Sequence, residues 1–362
     1  MTDEFYMKRA IRLAQKGRGE TSPNPMVGAV VVKGGKIIAE GWHKKYGQAH
    51  AEVNAFNNAK VSLKGATLFV NLEPCHHFGQ TPPCVDAVIK SGIKKVVIAM
   101  KDPNPLTNGK SITKMKSSGI VVKVGVLKDE AEKLNEAFVK MKKRNMPFVI
   151  GKIAQTLDGK IATQSGSSKW ITSEATRFLA RKLRAEFDAI LVGINTVLKD
   201  DPSLNADGKI RGLKKIVLDS RLKISLSARL FQGCLLSDCI IATTQKASQQ
   251  KIKQFRNKGV TVIVCPEKQQ KVDLKWLFKE LAKQKIMSIL IEGGAKVLGS
   301  ALAEELVDKL HVYIAPKLVG DQNALSSVDG LKITDISKAL KLKNMEVQRM
   351  GEDIFVSGYL KK

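Results

Sequence analysis

Apolar residues fall along the chain in short runs whose period changes, and each change marks an element. Met1 to Arg18 is a charged, amphipathic stretch with the spacing of a helix. Val27 to Val32 and Lys36 to Gly41 are apolar runs flanking Gly34-Gly35, a hairpin signal. The pattern then alternates: a helix over His50 to Lys60, a strand over Ala66 to Val70, a helix over Pro83 to Lys90 stopped by Gly92, and a strand over Lys94 to Met100. A hairpin followed by alternating helices and strands predicts a mixed sheet with helices on both faces, an α/β/α layering.

Leu134 to Met141 continues a helix, Lys142-Lys143-Arg144-Asn145 is polar, and Pro147 cannot extend a helix, so a new strand is expected at about Phe148. The 362 residues exceed the ~250–300 at which one core stops growing, so two α/β domains are expected, 1–145 and 146–362. In the second, Lys152 to Lys160 reads as a strand entering the Asp158-Gly159 turn. Ile286 to Ile291 reads as a short strand, Glu292-Gly293-Gly294 as a turn, and Ala295 to Leu306 as a helix whose first amides can cradle a phosphate. No Gly-x-Gly-x-x-Gly follows a strand, so a dinucleotide would have to bind without the Rossmann fingerprint.

Composition narrows the class. No run approaches the ~18–20 apolar residues of a membrane span, and the first residues lack the character of a signal peptide, so a cytoplasmic enzyme without membrane contact is expected. The net charge of +27 raises the question of nucleic acid. The basic excess is spread evenly over both halves, and three Trp and four Tyr give few stacking platforms. A phosphorylated small substrate fits better than specific nucleic-acid binding. Of five cysteines, Cys234, Cys239 and Cys265 lie in or near apolar segments and read as reduced thiols.

The other two carry chemistry. His50-Ala51-Glu52, then Pro74-Cys75, then Cys84 supply one imidazole and two thiolates, three of the four tetrahedral positions of zinc, and leave the fourth for water. Glu52, two residues past His50 at a helix start, can act beside the metal without ligating it, the composition of nucleobase deaminases. Their place at helix N-termini favours thiolate.

These residues amount to a resemblance. Ser22-Pro23-Asn24-Pro25 with Val27-Gly28, His50-Ala51-Glu52, and the block from Glu73 to Cys84 resemble the deaminase half of the RibD family, bifunctional enzymes of riboflavin biosynthesis. Relatives acting on tRNA or free cytosine usually have a shorter Pro-Cys-x-x-Cys turn than the loop seen here. The blocks Lys152 to Lys160, Ser168 to Ser173, Val192 to Pro202, and Glu292-Gly293-Gly294-Ala295 resemble the reductase half of that family. The resemblance implies a cytidine-deaminase-like N-terminal domain using Zn2+ and a dihydrofolate-reductase-like C-terminal domain using NADPH. The two would deaminate a pyrimidine phosphate and then reduce its ribosyl chain.

By the same resemblance Asn24 and His77 would hold the pyrimidine. Ala154, Trp170, Thr196, Asp200, Ser220 and Gly294, Ala295, Lys296, Val297, Leu298, Gly299 and Ser300 would contact NADPH. Ser168, Arg184, Leu204 and Glu292 would contact the sugar-phosphate substrate, and a homo-oligomer is implied. Lys152 is a further candidate, as a strand-end ammonium able to bind a substrate oxygen. Two positions depart from the family pattern: Gln80 stands where a basic residue is common, and Asp207 stands where an arginine would grip phosphate. Arg211, four residues on, is the candidate replacement for that arginine. An RNA-editing deaminase with an appended reductase-like domain and a zinc-stabilised, non-catalytic scaffold are the competing expectations.

Overall fold

The structure, a computed structural model, describes residues 1–207 and 212–361. The chain forms two compact units, Met1–Asn145 and Met146–Lys362. In the first, α1 (Asp3–Gln15) precedes the hairpin β1 (Gly28–Lys33) and β2 (Lys36–Trp42), which turns on Gly34 and Gly35, both at positive φ. Then come α2 (Ala51–Asn57), β3 (Thr67–Leu72), α3 (Cys84–Lys90), β4 (Lys95–Met100), α4 (Lys110–Ser117), β5 (Val121–Val124), α5 (Lys128–Leu134) and α6 (Glu136–Arg144). The sheet runs β2-β1-β3-β4-β5, with β1 antiparallel to both neighbours and β3, β4 and β5 parallel.

Helices α1 and α5 pack together against this sheet, while α2, α3 and α4 pack in series elsewhere on it. Close approach needs glycine: a Cβ on Gly28 would overlap the Ala10 carbonyl of α1, and one on Gly41 the Ala55 amide of α2. The expected helix through Leu134 to Met141 is broken at Asn135. The Asn135 amide side chain instead bonds both the N–H and the C=O of Met26.

The second unit contains β6 (Phe148–Thr156), β7 (Lys160–Ala162), α7 (Glu174–Leu183), β8 (Ala189–Gly193), α8 (Ile194–Asp200), β9 (Lys214–Leu218), β10 (Cys239–Thr243), α9 (Gln249–Asn257) and β11 (Thr261–Val264). It continues through the short pair β12 (Glu267–Lys268) and β13 (Lys271–Val272) to α10 (Leu274–Lys283), β14 (Ser288–Gly293), α11 (Ala295–Ala303), β15 (Lys309–Ala315), β16 (Leu325–Ser326), β17 (Leu342–Met350) and β18 (Asp353–Leu360). Nine strands form one sheet in the order β11-β10-β9-β8-β14-β6-β15-β18-β17. From β11 to β15 neighbours are parallel, and β18 is antiparallel to both β15 and β17.

The runs Ile289 to Ile291 and Ala189 to Val192 are apolar throughout because central parallel strands are covered on both faces. One core gathers Val149, Ile153, Leu191 and Ile291 with Leu277 and Phe278 of α10 and Leu298 of α11. The other gathers Ile190, Val192 and Val217 with Ile252 and Phe255 of α9. The helix expected to Leu306 ends at Ala303, and Glu305 beyond it has positive φ. Among the described residues, no helix is long and apolar enough to cross a membrane.

Candidate active sites

In the first unit three segments meet at strand ends. His50 is the N-cap of α2, Cys84 opens α3, and Cys75 lies just past β3. The His50 Nδ1 stands 3.2 Å from Cys84 Sγ and 3.5 Å from Cys75 Sγ, and the three ligand atoms lie within 4.8 Å of one another. Zinc at tetrahedral angles, with Zn–S of about 2.3 Å and Zn–N of about 2.0 Å, would separate N and S by about 3.5 Å. The donor set and its spacing therefore fit the ion. A hydrogen bond from the Cys84 thiol, with others from His50 and the Cys84 N–H, holds the Cys75 thiol down at about 4, while the same bond and burial push Cys84 well up.

Glu52, the second residue of α2, is 3 % exposed and shares a hydrogen bond with Cys84. Burial raises its carboxyl above the ordinary range, and Cys75 pushes the same way. Asn24 is half-buried in a segment pinned by Asn71, whose side chain bonds Gly28 N and Met26 O. Its Nδ2 lies 3.2 Å from His43 Nε2. The other nitrogen of His43, Nδ1, faces the Ala49 carbonyl at 3.1 Å and must carry the proton, so Nε2 accepts from Asn24. The Asn24 oxygen is then fixed as the group turned away from His43. The His77 Nδ1 bonds Thr107 Oγ1 at 3.3 Å, and Gln80 Nε2 donates to Tyr46 Oη at 3.0 Å.

Sequence reasoning missed three members of this site. His43 is buried edge-on to His50, with ring centres 5.1 Å apart. Glu73 accepts hydrogen bonds from the amides of Asp102, Gly109 and Ile112, which ties the cysteine loop to the 102–109 loop. Within that loop burial pushes the Asp102 carboxyl up to about 6. The Glu73-Pro74-Cys75 run offered a signal for Glu73 alone.

In the second unit Lys152 and Ala154 lie on one face of β6, opposite His311 and Tyr313 of β15. Glu292, at the end of β14, receives Arg184 Nε and Nη2 at 2.7 and 2.8 Å, and Arg184 Nη1 donates to Asn205 O at 2.6 Å. Burial raises the Glu292 carboxyl, but Arg184 and then Lys152 outweigh it and leave the group below its ordinary value. Burial lowers the Lys152 ammonium, with Glu292 opposing. Arg184 sits in a short 3-10 turn following α7.

Thr196 of α8 lies against Gly293 and Gly294, and Val297 lies against Gly193, so the N-termini of α8 and α11 converge at the ends of neighbouring strands. Gly294, at φ 84, is the N-cap of α11, followed by Ala295, Lys296 and Val297. The Leu298 side chain is in the core, Gly299 is packed against the Asp329 carbonyl, and Ser300 bonds Lys296 O, so the outer contacts of this helix fall to its first turn. Asp200 is exposed at the end of α8, and the Ser220 carbonyl is taken by Thr244. Trp170 is 61 % exposed, with the Arg177 guanidinium 4.2 Å from its ring centre. Ser168 is half-buried. Leu204, at φ 53, expected to contact substrate, is instead buried in the core and presents almost no surface to a ligand. Arg211 lies outside the described residues.

Two family patterns match: the cytidine and deoxycytidylate deaminase zinc-binding region over residues 1–100, and the RibD C-terminal domain over residues 147–356. The chain is 46 % identical to the riboflavin biosynthesis protein RibD of Actinobacillus pleuropneumoniae over 98 % of its own length and 95 % of that protein. It is 45 % identical to that of Aquifex aeolicus, covering 98 % and 97 %. Among solved structures, an Acinetobacter baumannii RibD aligns with TM-score 0.90 at 36 % identity, covering 99 % of each chain. A Thermotoga maritima diaminohydroxyphosphoribosylaminopyrimidine deaminase/5-amino-6-(5-phosphoribosylamino)uracil reductase aligns with TM-score 0.85 at 37 % identity, also covering 99 % of each. Similarity over almost the whole length supports neither the RNA-editing nor the scaffold alternative. The chain belongs to the RibD family and is a bifunctional deaminase and reductase of riboflavin biosynthesis.

Proposed function

We propose that the two units act on successive forms of one molecule, the phosphorylated pyrimidines named for the Thermotoga maritima relative. The observation that carries the reading is the His50, Cys75 and Cys84 trio with buried Glu52 beside it. Zinc held by those three residues would lower the pKa of a water toward about 7 and so supply a nucleophile at neutral pH. Glu52 takes one proton from the attacking water and passes it to the ring nitrogen, then takes a second from the new hydroxyl and passes it to the departing amine, which leaves as ammonia as the carbonyl forms. Its burial suits this shuttle, because a carboxyl of raised pKa holds and releases a proton nearer neutrality. Asn24, fixed by His43, offers its oxygen to an amine or N–H on the ring.

In the second unit NADPH, when bound, would supply the hydride that turns the ribosyl chain into a ribityl chain. The convergent amides at Gly294 to Val297 and the start of α8 suit a phosphate of the cofactor. Glu292 and Lys152 face the same space and are suited to hold sugar hydroxyls, with Arg184 fixing Glu292. In the test, purified protein receives the diaminopyrimidine ribosylamino phosphate and NADPH, and ammonia and NADPH oxidation are followed together. Ammonia release preceding an equal amount of NADPH oxidation supports the reading. NADPH oxidation without prior ammonia would overturn the order.

A further inference from the structure

We propose that Arg181 is the cation that grips the phosphate of the substrate in the reductase unit; this rests on the reading that the unit reduces a phosphorylated sugar chain. A phosphate near charge −2 is gripped best by a guanidinium whose forked Nη donors are not already taken. Arg184 is committed: Glu292 takes Nε and Nη2, Asn205 O takes Nη1, and the pair is mostly buried, with side chains 15 % and 6 % exposed. Lys152 is buried beside the same carboxylate. Arg177 lies over Trp170 and donates Nη1 to Thr172 O at 2.7 Å.

Arg181 is one helical turn before Arg184 on α7, and residues three apart share a helix face. Its Nε donates to Asp207 Oδ2 at 2.7 Å, two residues beyond the Asn205 that holds Arg184. The 205–207 stretch therefore grips both arginines and holds Arg181 beside the Arg184–Glu292 pair. Asp207 also acts on the charge of Arg184, so the four side chains form one cluster. Among the described residues, no hydrogen bond engages the two Nη groups of Arg181, and 40 % of its side chain is exposed. The forked end of the guanidinium is left for two parallel bonds to phosphate oxygens, while the Nε edge is fixed by Asp207. This gives the acid at position 207 a use that charge repulsion alone denies it.

The test compares the phosphorylated aminouracil substrate with its dephosphorylated counterpart in the NADPH-dependent reaction. Arg181→Ala is expected to raise KM for the phosphorylated compound about 10- to 100-fold, with KM for the other compound and kcat for both nearly unchanged. Arg181→Lys should recover part of the loss, and Lys182→Ala, an exposed neighbour on the same helix, should be silent. Equal effects on both compounds, or an equal effect from Lys182→Ala, would overturn the assignment. Should the wild type reduce neither compound, the reductase reading falls. Calorimetric titration with inorganic phosphate then decides for Arg181 if Arg181→Ala weakens binding and against it if binding is unchanged.

Discussion

Removing one partner of the Arg184–Glu292 pair should cost the reductase unit far more than removing an exposed salt bridge. In Glu292→Gln the Arg184 guanidinium and the buried Lys152 ammonium lose their shared counter-ion, and two charge-assisted hydrogen bonds of 2.7 and 2.8 Å become neutral or break. Hydrogen bonds to charged groups contribute about 1.5–3 kcal/mol each, and breaking a buried ion pair costs about 3–5 kcal/mol. For a unit of this size each kcal/mol lowers Tm by about 2–4 °C, so a drop of roughly 6–20 °C is expected. Arg184→Met/Glu292→Leu removes both charges of the pair and should cost less than the sum of the two single changes, with a coupling of about 2 kcal/mol. The Glu292 carboxyl is held below its ordinary value, so its contribution is present above the unfolded pKa of about 4.3 and is lost as pH falls through the lower folded value. The deficit of Glu292→Gln against wild type should therefore shrink in acid. Scanning calorimetry across pH reads all of this. A single-variant cost below about 1 kcal/mol, or an additive cycle, would refute the reasoning.

Further expectations follow from other residues. Glu52→Gln should slow ammonia release by about 10²- to 10⁴-fold while NADPH-dependent reduction of supplied deaminated substrate continues, and parallel loss of both reactions would count against separate sites. Burial, with Lys309 second, holds His311 at about 4, so the folded state resists a proton that the unfolded chain accepts near 6.5. Stability should then fall by about 3 kcal/mol as pH drops from 6.5 to 4, and a denaturation series in which His311→Phe keeps the same slope would contradict this. Gly28→Val forces a side chain into the Ala10 carbonyl and should destabilise the deaminase unit by about 1–3 kcal/mol or more in urea melts; an unchanged midpoint would show that α1 can shift freely.

The legible parts of this chain are those whose signals are local. Gly34-Gly35 between two apolar runs specified the β1–β2 hairpin, because only the turn demands positive φ there. His50 and Cys84 fell at helix starts because an alternating pattern places each helix directly after a strand-end loop. Interactions spanning many residues left no local trace. The break at Asn135 depends on Met26, 109 positions away, and Arg184 finds Glu292 across 108 positions. His43 reads as an ordinary residue after Trp42 until the fold sets it edge-on to His50. Leu298 and Gly299 belong to a helix whose start was legible, but which of its residues turn inward depends on the segment carrying Asp329.

In the proposed function, His50, Cys75 and Cys84 hold the ion that deamination requires, independently of the reductase unit. The most direct test of this role measures ammonia release by chelator-treated protein before and after one equivalent of zinc, with reduction of the deaminated substrate followed in parallel. Ammonia release should disappear and return while reduction stays constant. Ammonia release that survives removal of the metal, or two activities that fall and recover together, would contradict it.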